Sequence, residues 1–253
     1  MSPEFIGFIG IIILLIMIFL RIWVGVALSL VGFLGYGLIG GWKNALMVAG
    51  SEPFLQISAY SITCIPLFIL MGALISNSGI GADLYNTASK WVGNLRGGLA
   101  MATVMACGGF SAVSGSSLAT GLTMAKIAHP EMKRYRYDSR LAVGSIAVGG
   151  TLGILIPPSL GLILYGLLTQ ESIGRLFIAG ILPGILLIIL YMITIYIICL
   201  FRPDWAPQVP RTNMKEKLNS LKYTWPMLVL FLLVIRGIYL GVFTPTEAGA
   251  VGA

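Results

Sequence analysis

The chain has 253 residues, of which 57% are hydrophobic and only 10% charged, and its mean hydropathy is +0.94. A water-soluble domain carries about 25% charged residues because its surface must be wetted, so a single soluble core is excluded and a chain solvated mostly by lipid is implied. The net charge of +7 fits cationic loops facing one side of a membrane better than a nucleic-acid surface.

Residues 5–20 carry no charge, and similar apolar runs follow at 22–41, 57–81, 141–169, 176–200 and 224–235. Each helical crossing needs about 20 apolar residues, so the sequence predicts an all-α polytopic membrane protein. The first run is expected to be retained rather than cleaved. Glu4 is the only charge before Arg21, and the second run follows without a polar gap, unlike a signal peptide with its basic start and small-residue cleavage site.

Charge placement sets the expected topology. The segments 126–140 and 202–222 are strongly basic and are expected in the cytoplasm. The run 141–170 then goes out, 171–175 turns, and 176–201 returns. Working back, 82–96 with Lys90 and Arg96 is cytoplasmic, 57–81 runs inward, 42–56 lies outside, and Arg21 marks an inner turn. The N-terminus is then periplasmic. This arrangement puts 13 of the 16 Lys and Arg residues inside and leaves Lys43, Arg175 and Arg236 outside. Two amphipathic helices are expected in the inner interface, one near 82–96 and an arm near 211–222, before a further membrane helix over 223–240.

Residues 97–128 begin and end at inner loops, yet about 32 residues are too few for two full crossings. The stretch reads as a re-entrant helical hairpin. Its tip, Cys107-Gly-Gly-Phe-Ser-Ala-Val-Ser-Gly-Ser-Ser-Leu-Ala-Thr120, is rich in residues that interrupt helices and leave backbone groups unpaired. Such groups are tolerated at membrane depth only inside protein or beside a wet cavity. The competing reading is close helix packing by small residues, but Ser114, Ser116 and Ser117 cluster around Gly115 instead of repeating at a packing interval. A second interruption is Gly149-Gly-Thr-Leu-Gly-Ile-Leu-Ile-Pro-Pro-Ser159. Pro157 and Pro158 bar a straight helix, so 141–170 reads as a discontinuous helix rather than a simply kinked one. Helices broken near the midplane build substrate and ion sites in many secondary transporters, where half-helix N-termini attract anions and released carbonyls attract cations.

No Asp, Glu, Lys, Arg or His occurs between 97 and 125 or between 141 and 170. Proton coupling ordinarily needs a titratable group in the membrane, whereas sodium needs only hard neutral oxygens. The composition therefore leans towards sodium as the coupling ion, with no other cofactor. Cys64, Cys107 and Cys199 lack CxxC spacing and read as packing residues. His129, the one histidine, reads as an interfacial cap. Glu247 reads as a first-turn capping residue behind Thr244 and Pro245. The absence of a Ser-His-Asp set, HExxH or phosphate loop argues against an enzyme. No internal repeat is visible, although such transporters are usually built from two halves, which suggests that a second half lies beyond these residues.

Six segments together resemble the large membrane subunit of tripartite ATP-independent periplasmic (TRAP) transporters. They are Pro66-Leu-Phe-Ile-Leu-Met-Gly72, Phe110-Ser-Ala-Val-Ser-Gly-Ser-Ser117, Ile127-Ala-His-Pro-Glu-Met-Lys133, the 149–159 segment, Leu176-Phe-Ile-Ala-Gly-Ile-Leu-Pro-Gly184 and Phe243-Thr-Pro-Thr-Glu-Ala-Gly249. The resemblance covers nearly the whole chain and lacks the family's second half. It implies sodium-driven import of organic acids, such as C4-dicarboxylates or sialic acid, across the bacterial inner membrane. A periplasmic binding protein and a small four-helix membrane subunit would be partners. An elevator movement of a transport domain against a scaffold would carry the substrate. In those terms 1–96 is mainly scaffold, 97–175 holds the transport-domain elements, and 176–253 holds a membrane helix, the arm, a further membrane helix and the start of another. Sodium is expected at Ser114, Gly115, Ser116, Ser117, Gly150 and Thr151. The substrate carboxylate is expected at Ser117, Thr151, Pro158 and Ser159. The alternatives are a sodium-coupled carrier that works without a binding protein and a non-transporting membrane scaffold.

Overall fold

The computed structural model describes residues 2–58, 60–207, 209 and 212–253. Every regular element among them is helical. The chain divides into two compact units, 1–62 and 63–253.

The first unit holds α1 (Pro3–Phe19), α2 (Val24–Gly40) and α3 (Trp42–Ile57). Ser2 caps α1 and Pro3 occupies its first turn, a position where a missing N–H costs nothing. Arg21 takes a left-handed φ of 61° at the α1–α2 turn, and the two helices pack with Gly10 against Val31. Gly41, at φ 88°, reverses the chain into α3, where Trp42 lies against Gly37 and 6.0 Å from the ring of Phe33. Segment 42–56, read from sequence as an outer connection, is thus a helix. Its Ala, Leu and Met residues favour one, and its polar positions concealed that.

The second unit begins with α4 (Cys64–Asn77), α5 (Ile80–Val92), α6 (Gly98–Ser114) and α7 (Ser117–Arg134). It continues with α8 (Ser139–Leu155), α9 (Leu160–Thr169), α10 (Ile173–Phe201), α11 (Met214–Tyr239) and α12 (Pro245–Gly252). By length and composition three segments could cross a membrane, namely 139–169, 173–201 and 214–239. The bent pair α4 and α5, 63° apart, could supply a fourth. Of the segment 57–81, expected to cross by itself, only the 14 residues of α4 form a straight helix, too few to cross alone. Pro66 lies in the first turn of α4, where a missing N–H costs nothing, and Gly79 at φ 84° separates α4 from α5.

Helix α6 is the hub. Its Ala100, Ala102, Ala106, Gly108 and Ala112 are small, and nearly the whole helix is buried, so α4, α5, α7, α8, α10 and α11 all reach it. The amphipathic helix expected near 82–96 exists as α5, but its apolar face is covered by protein: Tyr85 and Ala88 are buried, and α5 lies along α6 and α11. Thr87 donates to the Ser220 carbonyl at 3.1 Å. The expected arm and the following membrane helix are one unbroken helix, α11. Arg211, counted among the inner cations, lies outside the described residues.

Several basic helix ends meet at one pole. The Leu99 N–H donates to the Tyr137 hydroxyl at 3.3 Å, the Asp138 N–H to the Trp205 carbonyl at 2.9 Å, and Lys217 to the Trp91 carbonyl at 3.3 Å. These contacts gather the chain around Arg96, Arg136, Arg140, Arg202 and Lys217. At the opposite ends of α10 and α11, Gly174 lies against Ile238, close in sequence to Arg175 and Arg236.

Candidate ion and substrate site

Two helix interruptions face each other. Helix α6 ends at Ser114, and Gly115 takes a left-handed φ of 60° before Ser116 opens α7. Helix α8 ends at Leu155, and Ile156–Pro158 run in non-helical conformation to Ser159, which opens α9. Both breaks lie where glycine, serine and proline placed them.

The breaks touch through backbone. The Leu160 N–H, first of α9, donates to the Gly115 carbonyl at 3.2 Å. A β-carbon on Gly115 would sit 2.5 Å from the Pro158 carbonyl oxygen, and one on Gly153 would sit 2.6 Å from the Ser117 nitrogen. Real β-carbons do not approach that closely, so only glycine lets the two turns meet. Other glycines bring neighbours in the same way. On Gly72 a β-carbon would lie 2.7 Å from the Ser114 carbonyl oxygen, on Gly180 2.6 Å from that of Leu155, and on Gly184 2.7 Å from the Ile156 side chain. The α4 and α10 segments singled out in the sequence thus converge on the same crossing.

The side chains fall into two groups. Ser114, with the Ser111 and Thr120 hydroxyls, forms a buried cluster; all three are at most 2% exposed. Thr120 Oγ1 lies 3.1 Å from Ser114 Oγ and 3.3 Å from Ser111 Oγ, and it donates to the Ser116 carbonyl at 2.8 Å. Ser117, Gly150 and Thr151 instead line an open groove of about 420 Å3 between α7 and α8, with Gly121, Ile146 and Ile154. Thr151 is exposed there, donates to the Val148 carbonyl at 2.6 Å, and lies 3.3 Å from the Tyr191 hydroxyl. The oxygens expected around one ion are therefore distributed between a buried cluster and a groove, joined by the backbone of 115–117. Ser116 Oγ accepts from the Ala119 N–H at 3.3 Å as the cap of α7. Ser159 is fully buried and donates to the Ile154 carbonyl at 2.6 Å. Pro158 contributes its carbonyl at the Gly115 contact.

Sequence reasoning did not single out Ser111, Thr120 and Tyr191. Thr120 stood at the edge of the polar tip, but its role depends on the chain reversing at Gly115, which brings positions nine and six residues apart together. Tyr191, on a long apolar helix, gave no local signal.

The donor set is hydroxyls and carbonyls. Among the described residues no group of three His, Cys, Asp or Glu side chains could hold a metal. These are hard neutral oxygens, suited to a weakly held monovalent cation rather than to the soft or imidazole-bound transition metals. Helices α7 and α9 both start at the crossing, and although the Leu160 N–H is taken by the Gly115 carbonyl and the Ala119 N–H by Ser116 Oγ, the positive ends of two half-helices favour an anionic group nearby.

Among curated proteins, the chain is 43% identical over 194 residues to a C4-dicarboxylate TRAP transporter large permease protein DctM of Pseudomonas aeruginosa, covering 77% of this chain and 45% of that protein. It is 37% identical over 205 residues to the ectoine/5-hydroxyectoine TRAP transporter large permease protein UehC of Ruegeria pomeroyi, covering 81% and 46%. It is 34% identical over 211 residues to the sialic acid TRAP transporter large permease protein SiaM of Vibrio cholerae, covering 83% and 49%. These relatives are transporter permeases rather than enzymes, and the chain spans about half of their length. A profile of the tripartite ATP-independent periplasmic transporter, DctM component, matches residues 11–253, and with these relatives it shows that the chain belongs to that family.

Proposed function

We propose that this chain is part of a TRAP large permease that imports an organic acid across the bacterial inner membrane, driven by sodium. The observation that carries this reading is the apposition of two helix breaks, joined by the Leu160–Gly115 hydrogen bond, in segments without charged side chains. Sodium is held by neutral oxygens of the crossing: the hydroxyls of Ser114, Ser116, Ser117 and Thr151, and the carbonyls around Gly115 and Gly150. The substrate carboxylate lies beside it, near Ser117, Thr151, Pro158 and Ser159, where the α7 and α9 N-termini supply donors. Sodium contributes positive charge that draws the carboxylate into place. This chain's part is to orient the oxygens. The 97–175 elements move as the transport body in an elevator cycle, and a periplasmic binding protein and a small four-helix membrane subunit complete the system. Relatives carry substrates as different as C4-dicarboxylates, ectoines and sialic acid in their names, so the class proposed is a small organic acid. The N-terminus is periplasmic and the basic pole cytoplasmic.

The test is uptake of labelled organic acids into proteoliposomes holding the complete permease, with and without sodium and with and without the binding protein. Uptake that needs both supports the proposal. Uptake without sodium sinks the coupling, and uptake without the binding protein identifies an independent carrier. Ser116→Ala is expected to lower sodium-dependent uptake far more than it lowers the amount of protein in the membrane. Equal sodium dependence in variant and parent removes Ser116 from the site.

A further inference from the structure

The structure assigns to Thr120 the role of fixing where the Ser114 and Ser111 protons point, so that the Ser114 oxygen presents only lone pairs to a cation. This rests on the sodium reading and adds to it a positioning residue that lies outside the proposed ligand set.

A hydroxyl has one proton to give and two lone pairs to receive with. Thr120 gives its proton to the Ser116 carbonyl, 2.8 Å away. A carbonyl can only accept, so the direction of that bond is fixed. The Thr120 oxygen is then left as an acceptor towards its two remaining neighbours, Ser114 Oγ at 3.1 Å and Ser111 Oγ at 3.3 Å. Both serines must therefore donate to it. Each serine has spent its single proton, and what remains on each oxygen is acceptor capacity alone, as a cation ligand requires.

Left unfixed, a serine hydroxyl rotates and turns its proton towards a cation in some orientations, which repels the ion. The three side chains are at most 2% exposed, so bulk water is not available to take these protons. The same threonine ties the arrangement to the break itself. Its bond to the Ser116 carbonyl holds that group in the first turn of α7, beside the Gly115 reversal.

The test uses the complete permease, purified in detergent. The readout is the rise of its melting midpoint with sodium chloride over choline chloride, because a ligand that binds only the folded state raises that midpoint. Thr120→Val keeps the shape and removes the hydroxyl. It is expected to raise the sodium concentration for half-effect about tenfold, the factor that corresponds to losing about 1.4 kcal/mol of ligand orientation. Thr120→Ser, which restores a hydroxyl, is expected to return it to near the parent value. In a Ser114→Ala background, Thr120→Val is expected to add less than about twofold, because Ser114 is the one of its two serine partners that belongs to the proposed ligand set. If Thr120→Val does not fold, Thr120→Cys, whose thiol is only a weak partner, carries the same expectation. A parent-like sodium constant in Thr120→Val or Thr120→Cys, or full additivity with Ser114→Ala, overturns the assignment while leaving sodium coupling intact. A parent protein that responds to sodium no more than to choline overturns both.

Discussion

Gly115 and Gly153 show how single residues set the geometry of the crossing. At each, an added methyl group would lie within about 2.6 Å of backbone from the other break, and Gly115 also holds a left-handed φ of 60°. Backbone cannot step aside as a flexible side-chain tip can, so overpacking here should cost about 1–3 kcal/mol. Gly153→Ala is expected to lower the melting midpoint and to weaken its response to sodium. Gly144→Ala, on the same helix but with nothing within 4 Å of the added carbon, is expected to be neutral or slightly stabilising, since alanine is the better helix former. Similar losses at both positions in a melting series would refute the close approach. The hydroxyls obey a similar logic. Ser114 and Thr151 look alike in the sequence as membrane-depth oxygen donors, yet one is buried behind Thr120 and the other lies open in the groove.

Among the elements, α12 illustrates a feature written fully into local sequence. Thr244 accepts from the Glu247 N–H, and the Glu247 carboxylate accepts from the Thr244 N–H at 2.8 Å, forming a capping box behind Pro245. This cap starts a helix that lays Gly249 on Phe68 and Gly252 on Met71 of α4. Thr244→Ala should cost about 1 kcal/mol and be seen as faster amide exchange in 246–249, with little change in α6. Unchanged exchange in that turn would show that packing on α4 alone holds it. Helix α5 is the contrasting case. Its amphipathic pattern was legible, but pattern alone does not say whether the apolar side meets lipid or protein. Contact with α6 decided it, through residues more than ten positions away. Helix α11 fuses two expected elements although Pro226 stands where its polar first turns give way to the apolar remainder; the proline removes one backbone donor without ending the helix.

Across the second unit, the meeting of the basic helix ends gives the charge bias a spatial form. The sequence places cations in separate loops, and the Tyr137, Trp205 and Trp91 contacts draw them to one pole, while Arg175 and Arg236 belong to the opposite ends of their helices. With cations retained on the cytoplasmic side, Arg136→Cys and Lys217→Cys are expected to react with a membrane-impermeant thiol reagent only in opened cells. Arg175→Cys is expected to react in intact spheroplasts. Cys64, Cys107 and Cys199 are all buried, which keeps the background low. Labelling of 136 and 217 from opposite sides would dissolve the pole.

The sequence by itself determined that this protein lives in lipid, where its helices are interrupted, and which segments lack charge, because hydropathy, glycine, proline and serine act through local backbone physics. Only the tertiary structure decided that the two interruptions meet, that Thr120 sits between Ser111 and Ser114, and that α5 is covered. Those outcomes depend on which distant surfaces come within a few ångströms, and that is set by the fit of small residues on α6 and around the breaks rather than by the character of any one segment.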